Sequence, residues 1–224
     1  MSRVEAGLSA VRARIADACR GAGRDPAEVT LVAVSKRHPP EAIRRAYAAG
    51  QRVFGENYVQ ELVEKAEALS DLADLRWHFI GHLQRNKAKD VVRIGAAVET
   101  VDSVRLAGAL GERARATARP IAVWVQVNVA GEAQKSGCSP EALPAILAAV
   151  RADAGLELRG LMTVPPLGDD PEASRPWFRR LRELGAAEGV TGLSMGMSDD
   201  LEVALQEGAT VVRVGTAIFG PREP

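Results

Sequence analysis

Apolar positions along this chain follow two alternating rhythms. In the first twenty residues Val4, Leu8, Val11, Ile15 and Cys19 recur at helical spacing, one apolar stripe on an otherwise polar helix. GAGRDP breaks that pattern. From there on, short apolar runs rich in β-branched residues alternate with longer segments of helical periodicity. The predicted strands are LVAVSK (31–36), RVFGEN (52–57), RWHFIG (76–81), AAVETVD (96–102), IAVWVQVNV (121–129), LELRGLMTV (156–164), GLSMGM (192–197) and TVVRVGTAIFG (210–220). The predicted helices cover roughly 39–49, 57–70, 83–93, 103–117, 140–153, 171–187 and 198–208. Several strands are apolar on both faces, as buried parallel strands are.

Eight strands alternating with helices predict an α/β fold, a (β/α)8 TIM barrel formed as a single domain over residues 1–224. The leading helix is expected as an extra element covering one end, and only PREP follows the eighth strand. A doubly wound open sheet is the alternative. In such barrels the active site sits at the carboxyl ends of the strands. That places the residues of interest at Lys36, Asn57, Gly81–His82, Asp102, Asn128, Thr163–Val164, Met197–Ser198 and Gly215–Thr216.

Composition narrows the partners. Twenty-nine basic residues balance twenty-nine acidic ones, so neither a nucleic acid nor an anionic membrane is expected as a partner. The longest apolar runs are strand-sized, and the charged N-terminal segment has no signal-peptide core, so a cytoplasmic protein is expected. Cys19 and Cys138 fit no metal-ligand spacing and are expected as ordinary thiols. His78 and His82 are four apart, but on a strand-to-loop segment that spacing does not put both on one helical face, so no metal site is expected. Trp77, Trp124 and Trp177 are expected to pack between strands and outer helices.

Candidate chemistry begins with TLVAVSK. The chain has five lysines, at 36, 65, 87, 89 and 135, among 29 basic residues, so arginine is its ordinary cation. An arginine does not lose its proton; a lysine in an apolar setting can, and then becomes a nucleophile. Val32, Val34 and Lys36 share one strand face. If that face points into the barrel, partial desolvation favours the neutral amine, which can form an imine with an aldehyde or ketone. The alternative is a lysine reaching past the rim to water.

Two further features bear on that lysine. The seventh and eighth strand-end loops, SMGMSDD and VGTAIFG, stand where barrels often bind phosphate. Gly196 and Gly215 permit close backbone approach, Ser198 can cap the next helix, and Thr216 offers a hydroxyl. Asp199 and Asp200 oppose an anion unless they point away. Arg213 interrupts an apolar strand and needs either a ligand or a buried acid such as Glu56, Glu99 or Asp102. An imine-forming lysine, a phosphate cradle and a cation near strand eight fit one ligand well: pyridoxal 5′-phosphate. Its aldehyde would meet Lys36, its phosphate the two loops, and its ring nitrogen Arg213.

The stretches LVAVSK, FGENYVQE, WHFIGHLQRNK, VQVNVAGEAQKSG, GLMTV, LSMGMSDD and VRVGTAIFG, in this order from 31 to 220, closely resemble the pyridoxal phosphate homeostasis protein family, with its alanine-racemase-like N-terminal barrel. The resemblance implies that Lys36 holds the cofactor as an aldimine and that Ser198, Gly215 and Thr216 contact its phosphate. It sets Arg213 against the pyridine nitrogen and makes Asn57, His82 and Met195 pocket residues. Lys135 matches a lysine-bearing loop of the family and is either a secondary aldehyde contact or a solvated loop lysine. His38 either touches the site or caps its loop. The tail has Arg222 and no lysine after IFG, which puts any family role for tail lysines in doubt.

An arginine against the ring nitrogen disfavours ring protonation, because two nearby cations repel. The bound cofactor is then a weak electron sink. The expected function is therefore non-enzymatic: binding, buffering and delivery of vitamin B6 cofactor by a monomer, with apo pyridoxal phosphate enzymes as transient partners. Slow racemisation is the residual chemistry expected. The alternatives are a minimal amino-acid racemase, with Tyr58 or His82 opposite Lys36, and a Schiff-base aldolase acting on a phosphosugar.

Overall fold

The computed structural model describes residues 2–132, 134–166, 168 and 170–221; Arg222 lies outside them. Eight parallel strands close into a barrel in chain order. They are β1 (Thr30–Val34), β2 (Val53–Glu56), β3 (Arg76–Phe79), β4 (Ala97–Val101), β5 (Ile121–Gln126), β6 (Leu156–Met162), β7 (Leu193–Ser194) and β8 (Val211–Val214). Closure is made by β8 on β1, with Val32 opposite Arg213. The expected barrel, not the open sheet, is what forms.

Around it run α1 (Arg3–Gly21), α2 (Pro40–Ala48), α3 (Val59–Ala68), α4 (Ala88–Ile94), α5 (Val104–Ala116), α6 (Leu143–Ala152), α7 (Arg175–Ala187), α8 (Leu201–Gln206) and α9 (Thr216–Phe219). The capping box at the start of α1 is complete: Ser2 Oγ accepts from Glu5 N–H, and Glu5 accepts from Ser2 N–H. The five stripe residues of α1 are all buried. Each large apolar side chain so buried contributes about 1.5–3 kcal/mol, more than intrinsic propensity supplies to a helix of this length. The position of α1 differs from expectation. It packs on α2, α8 and α9, beside the outer helices rather than across an end of the barrel. Among the described residues, the chain after β8 supplies only the four-residue α9, and α1 lies against it.

Strand ends also differ from the sequence pattern. The run 210–220 stops as a strand at Val214 and turns at Gly215 into α9, where Ile218 and Phe219 N–H both donate to the Gly215 carbonyl at 2.9 Å. The run 192–197 keeps only two ladder residues, because Gly196 adopts φ +93°. Lys36 lies in the turn after β1 rather than in the strand.

Most of the core lies between strands and helices, with Phe54, Phe79, Leu62, Phe178 and Leu147 fully buried. A smaller apolar cluster fills the barrel interior: Val32, Val53, Trp124, Met162 and Val211. Trp124 therefore faces inward, its ring 5.4 Å from His78, while Trp77 packs outward against Phe54 as expected. The side chains of β5 are apolar at nearly every position, so the sequence pattern alone does not tell its two faces apart.

Candidate active site at the carboxyl end of the barrel

A cavity of about 540 Å³ opens at the carboxyl ends of the strands. Lys36, half-buried, enters it from the turn after β1; Val34 on the same strand face lies beneath. The turn is held by Ser35 N–H on the Gly55 carbonyl and His38 N–H on the Ser35 carbonyl, both 3.0 Å.

Asn57 follows β2. Its Oδ1 is buried and has no hydrogen-bond partner among the described residues. A buried amide oxygen in that state calls for a donor from elsewhere. Gly81 makes this position possible, since a Cβ there would collide with the Asn57 carbonyl.

Arg213, on β8, lines the cavity and is also tied into the barrel interior. Its guanidinium donates to Ser194 Oγ at 2.5 Å and to the Thr163 carbonyl at 2.8 Å, and lies 3.7 Å from Glu99 Oε2. Ser194 in turn donates to Glu99 Oε2, and His78 Nδ1 lies 2.5 Å from Glu99 Oε1. Arg213 thus has the buried acid that one expectation called for, and it also lines the cavity. Burial works to raise the Glu99 carboxyl, but His78 and Arg213 outweigh it and hold the group below its ordinary value.

The seventh and eighth loops form a further wall. Ser198, Gly215 and Thr216 all line the cavity. Ser198 does not cap α8, whose first residue follows Asp200 with no side-chain cap. Instead its carbonyl accepts from Arg14 Nη2 at 2.9 Å, and Arg14 is itself clamped on Glu202 at 2.6 and 2.8 Å. Asp200 points away from the cavity, accepting from Met197 N–H at 2.7 Å and Ser174 Oγ at 2.9 Å. Asp199 lines the cavity, with Arg14 on the same wall.

Met195 and His82, expected as pocket residues, are not brought to this cavity, nor do the strand-end residues Gly81, Asp102, Asn128 and Thr163 line it. Met195 is fully buried in the outer core: Ser194 faces the barrel interior, so its neighbour faces the helices. The methionines that line the cavity are Met162 and Met197. His82 is largely exposed and sits 3.8 Å from Asp102, outside the cavity. Lys135 donates to the Pro165 carbonyl at 2.7 Å and pairs with Glu132 at 2.9 Å, tying two loops together away from the wall. Sequence reasoning missed Arg14, which carries no local signal because it comes from the polar face of α1. It left His38 open; that ring lines the cavity and stacks on Phe219 at 5.0 Å. Ile80 and Met162 complete the apolar floor.

The residue set fits pyridoxal 5′-phosphate: one primary amine, one guanidinium and two small-residue loops around a space of adequate size. Comparison with known proteins agrees. The family described as alanine racemase, N-terminal domain, matches residues 7–223. A pyridoxal phosphate homeostasis protein of Pseudomonas aeruginosa is 50% identical over 225 residues, covering 100% of this chain and 97% of its own length. Another, from Aquifex aeolicus, is 44% identical over 222 residues, covering 96% and 97%. The solved structure of PipY from Synechococcus elongatus, with pyridoxal phosphate bound, superposes with a TM-score of 0.84 at 39% identity, covering 97% of this chain and 100% of that one. The chain therefore belongs to the alanine racemase N-terminal domain family and, within it, to the pyridoxal phosphate homeostasis proteins.

Proposed function

We propose that residues 1–224 act as one pyridoxal 5′-phosphate-binding unit that buffers and delivers the cofactor, with Lys36 as its covalent anchor. The observation that carries this reading is the convergence of Lys36, Arg213 and the Ser198, Gly215 and Thr216 loops on one cavity. When bound, the cofactor supplies an aldehyde that condenses with a primary amine, releasing water. Lys36 Nζ is that amine. Arg213 would stand against the ring nitrogen, Asn57 would line the pocket beside it, and Ser198, Gly215 and Thr216 would hold the phosphate. Arg14 carries the Ser198 loop and balances Asp199.

Three observations favour holding over turnover. Arg213 is a buried cation, and a cation beside the ring nitrogen opposes its protonation. Tyr58 is half exposed and His82 lies off the cavity, so neither expected second-face base stands on its wall. The named relatives are homeostasis proteins. A slow racemisation remains as the second reading, favoured by His38 on the cavity wall with Lys36. No helix among the described residues is long and apolar enough to cross a membrane. We place the protein in the cytoplasm as a monomer that meets apo pyridoxal phosphate enzymes transiently.

The test is borohydride reduction of cofactor-loaded protein followed by peptide mass mapping. A phosphopyridoxyl group on Lys36 is expected; an unmodified Lys36 overturns the reading. Exchange of the alanine α-proton in deuterium oxide at enzymatic rates would move the protein to the racemase class.

A further inference from the structure

Lys65 is one of five lysines in an arginine-rich chain, and nothing in the cavity uses it. It sits on α3, buried, behind the turn that carries Lys36. Its ammonium donates three hydrogen bonds, each 2.8 Å long: to the Ser35 carbonyl, to Glu56 Oε1 and to Glu61 Oε2. Three donors meet three acceptors, which satisfies a lysine completely. A guanidinium is planar and carries five N–H groups in a fixed fork, so it does not match this convergent set.

The same two carboxylates hold the residues on either side of Lys36. Ser35, fully buried, donates its hydroxyl to Glu56 Oε1 at 2.6 Å. Arg37 N–H donates to Glu61 Oε2 at 2.8 Å. Arg37 needs that support, because it adopts φ +62°, a conformation that costs a non-glycine residue energy. Burial pushes the Glu56 carboxyl up against the pull of Lys65. For Glu61, burial also works upward, but the Lys65 and Arg37 hydrogen bonds win and hold it down. Burying such a triad is expensive in desolvation and is not a cheap route to stability. What it does provide is a fixed position for the turn.

We infer that Lys65, Glu56 and Glu61 are positioning residues that clamp Ser35 and Arg37 and thereby hold the Lys36 amine at the place where it meets the cofactor aldehyde. This rests on the reading that Lys36 is the covalent anchor. None of the three lines the cavity, so they act through the turn and not by touching the ligand.

The test compares two probes that share the ring and phosphate. Pyridoxal 5′-phosphate has the aldehyde; pyridoxine 5′-phosphate has an alcohol in its place and cannot form the imine. Binding of both is measured by fluorescence titration in the wild type, Lys65→Arg, Glu61→Ala and Glu61→Gln. With the clamp lost in Lys65→Arg and Glu61→Ala, the pyridoxal phosphate Kd should rise about tenfold while the pyridoxine phosphate Kd stays within about twofold. Glu61→Gln keeps an acceptor oxygen for Arg37 N–H and should restore most of the affinity. Glu61 is only half-buried, so its variants carry the test should Lys65→Arg fold poorly. Equal losses for both probes, or no loss for either, would overturn the inference. If the wild type itself yields no borohydride-trapped adduct on Lys36, it is the anchor reading that fails, and the clamp falls with it.

Discussion

Replacing Arg213 with methionine removes the charge inside the barrel and keeps most of the volume. The structure sets the magnitude. Arg213 is 4% exposed and donates to Ser194 Oγ and to the Thr163 carbonyl, and it lies 3.7 Å from the fully buried Glu99. Two hydrogen bonds from a charged donor disappear, each contributing about 1.5–3 kcal/mol. The Glu99 carboxylate is left with His78 and Ser194 alone. Breaking one member out of a buried pair costs about 3–5 kcal/mol, a large part of a domain's whole stability of roughly 5–15 kcal/mol. The loss should appear in urea unfolding at neutral pH and as a fall in Tm on the order of 10 °C. Its pH dependence tests the cause. Glu99 is held below the ordinary carboxylate value, so its stabilising contribution is present above that value and is lost as pH falls through the folded-state value. Without Arg213 the depression is smaller, so the two proteins should converge in stability as the medium is acidified. A loss under about 1 kcal/mol, or a gap that stays constant into acid, would refute the pairing argument.

Three other perturbations follow from the geometry. Glu207 is 4% exposed and faces Arg175, Arg179 and Arg182 at 3.2, 3.1 and 2.9 Å; burial works to raise its carboxyl, but these guanidiniums hold it down. Because two of the three arginines are about half exposed, Glu207→Gln should destabilise by only about 1–2 kcal/mol at pH 7, and chemical denaturation should find the difference gone in acid. Gly196→Ala puts a Cβ at φ +93° and 2.5 Å from the Ala204 Cβ; calorimetry should show a loss of about 1–3 kcal/mol, with weaker cofactor binding at the loop it distorts. Arg14→Ala frees the Ser198 carbonyl and Glu202 at a partly exposed site, so stability should change by less than about 1 kcal/mol. Cofactor affinity should still fall about three- to tenfold by equilibrium dialysis, with any trapped adduct remaining on Lys36.

Much of the molecule is written in its local pattern. Helical spacing of Val4, Leu8, Val11, Ile15 and Cys19 determined the buried face of α1, and strand-to-helix alternation pointed to the eight-stranded barrel that forms, with an open sheet as the alternative. Once the barrel was the fold, strand-end position singled out a set of residues of which Lys36, Asn57, Val164, Met197, Ser198, Gly215 and Thr216 line one cavity, while Gly81, His82, Asp102, Asn128 and Thr163 do not. Among the acids named as examples for Arg213, Glu99 is the partner. Tertiary structure decided the rest, for two reasons. On a strand apolar on both faces, such as β5, periodicity does not say which face is the interior, so Trp124 turned inward against expectation, and Met195, which the resemblance put in the pocket, faces the helices. And some contacts join residues far apart in the chain, where no spacing rule reaches. Arg14 meets Glu202 across 188 positions because α1 packs beside α8, and Lys65 meets the Ser35 carbonyl because α3 folds back onto the turn beyond β1. A local pattern records which residues seek burial; only the closed fold records what they find there.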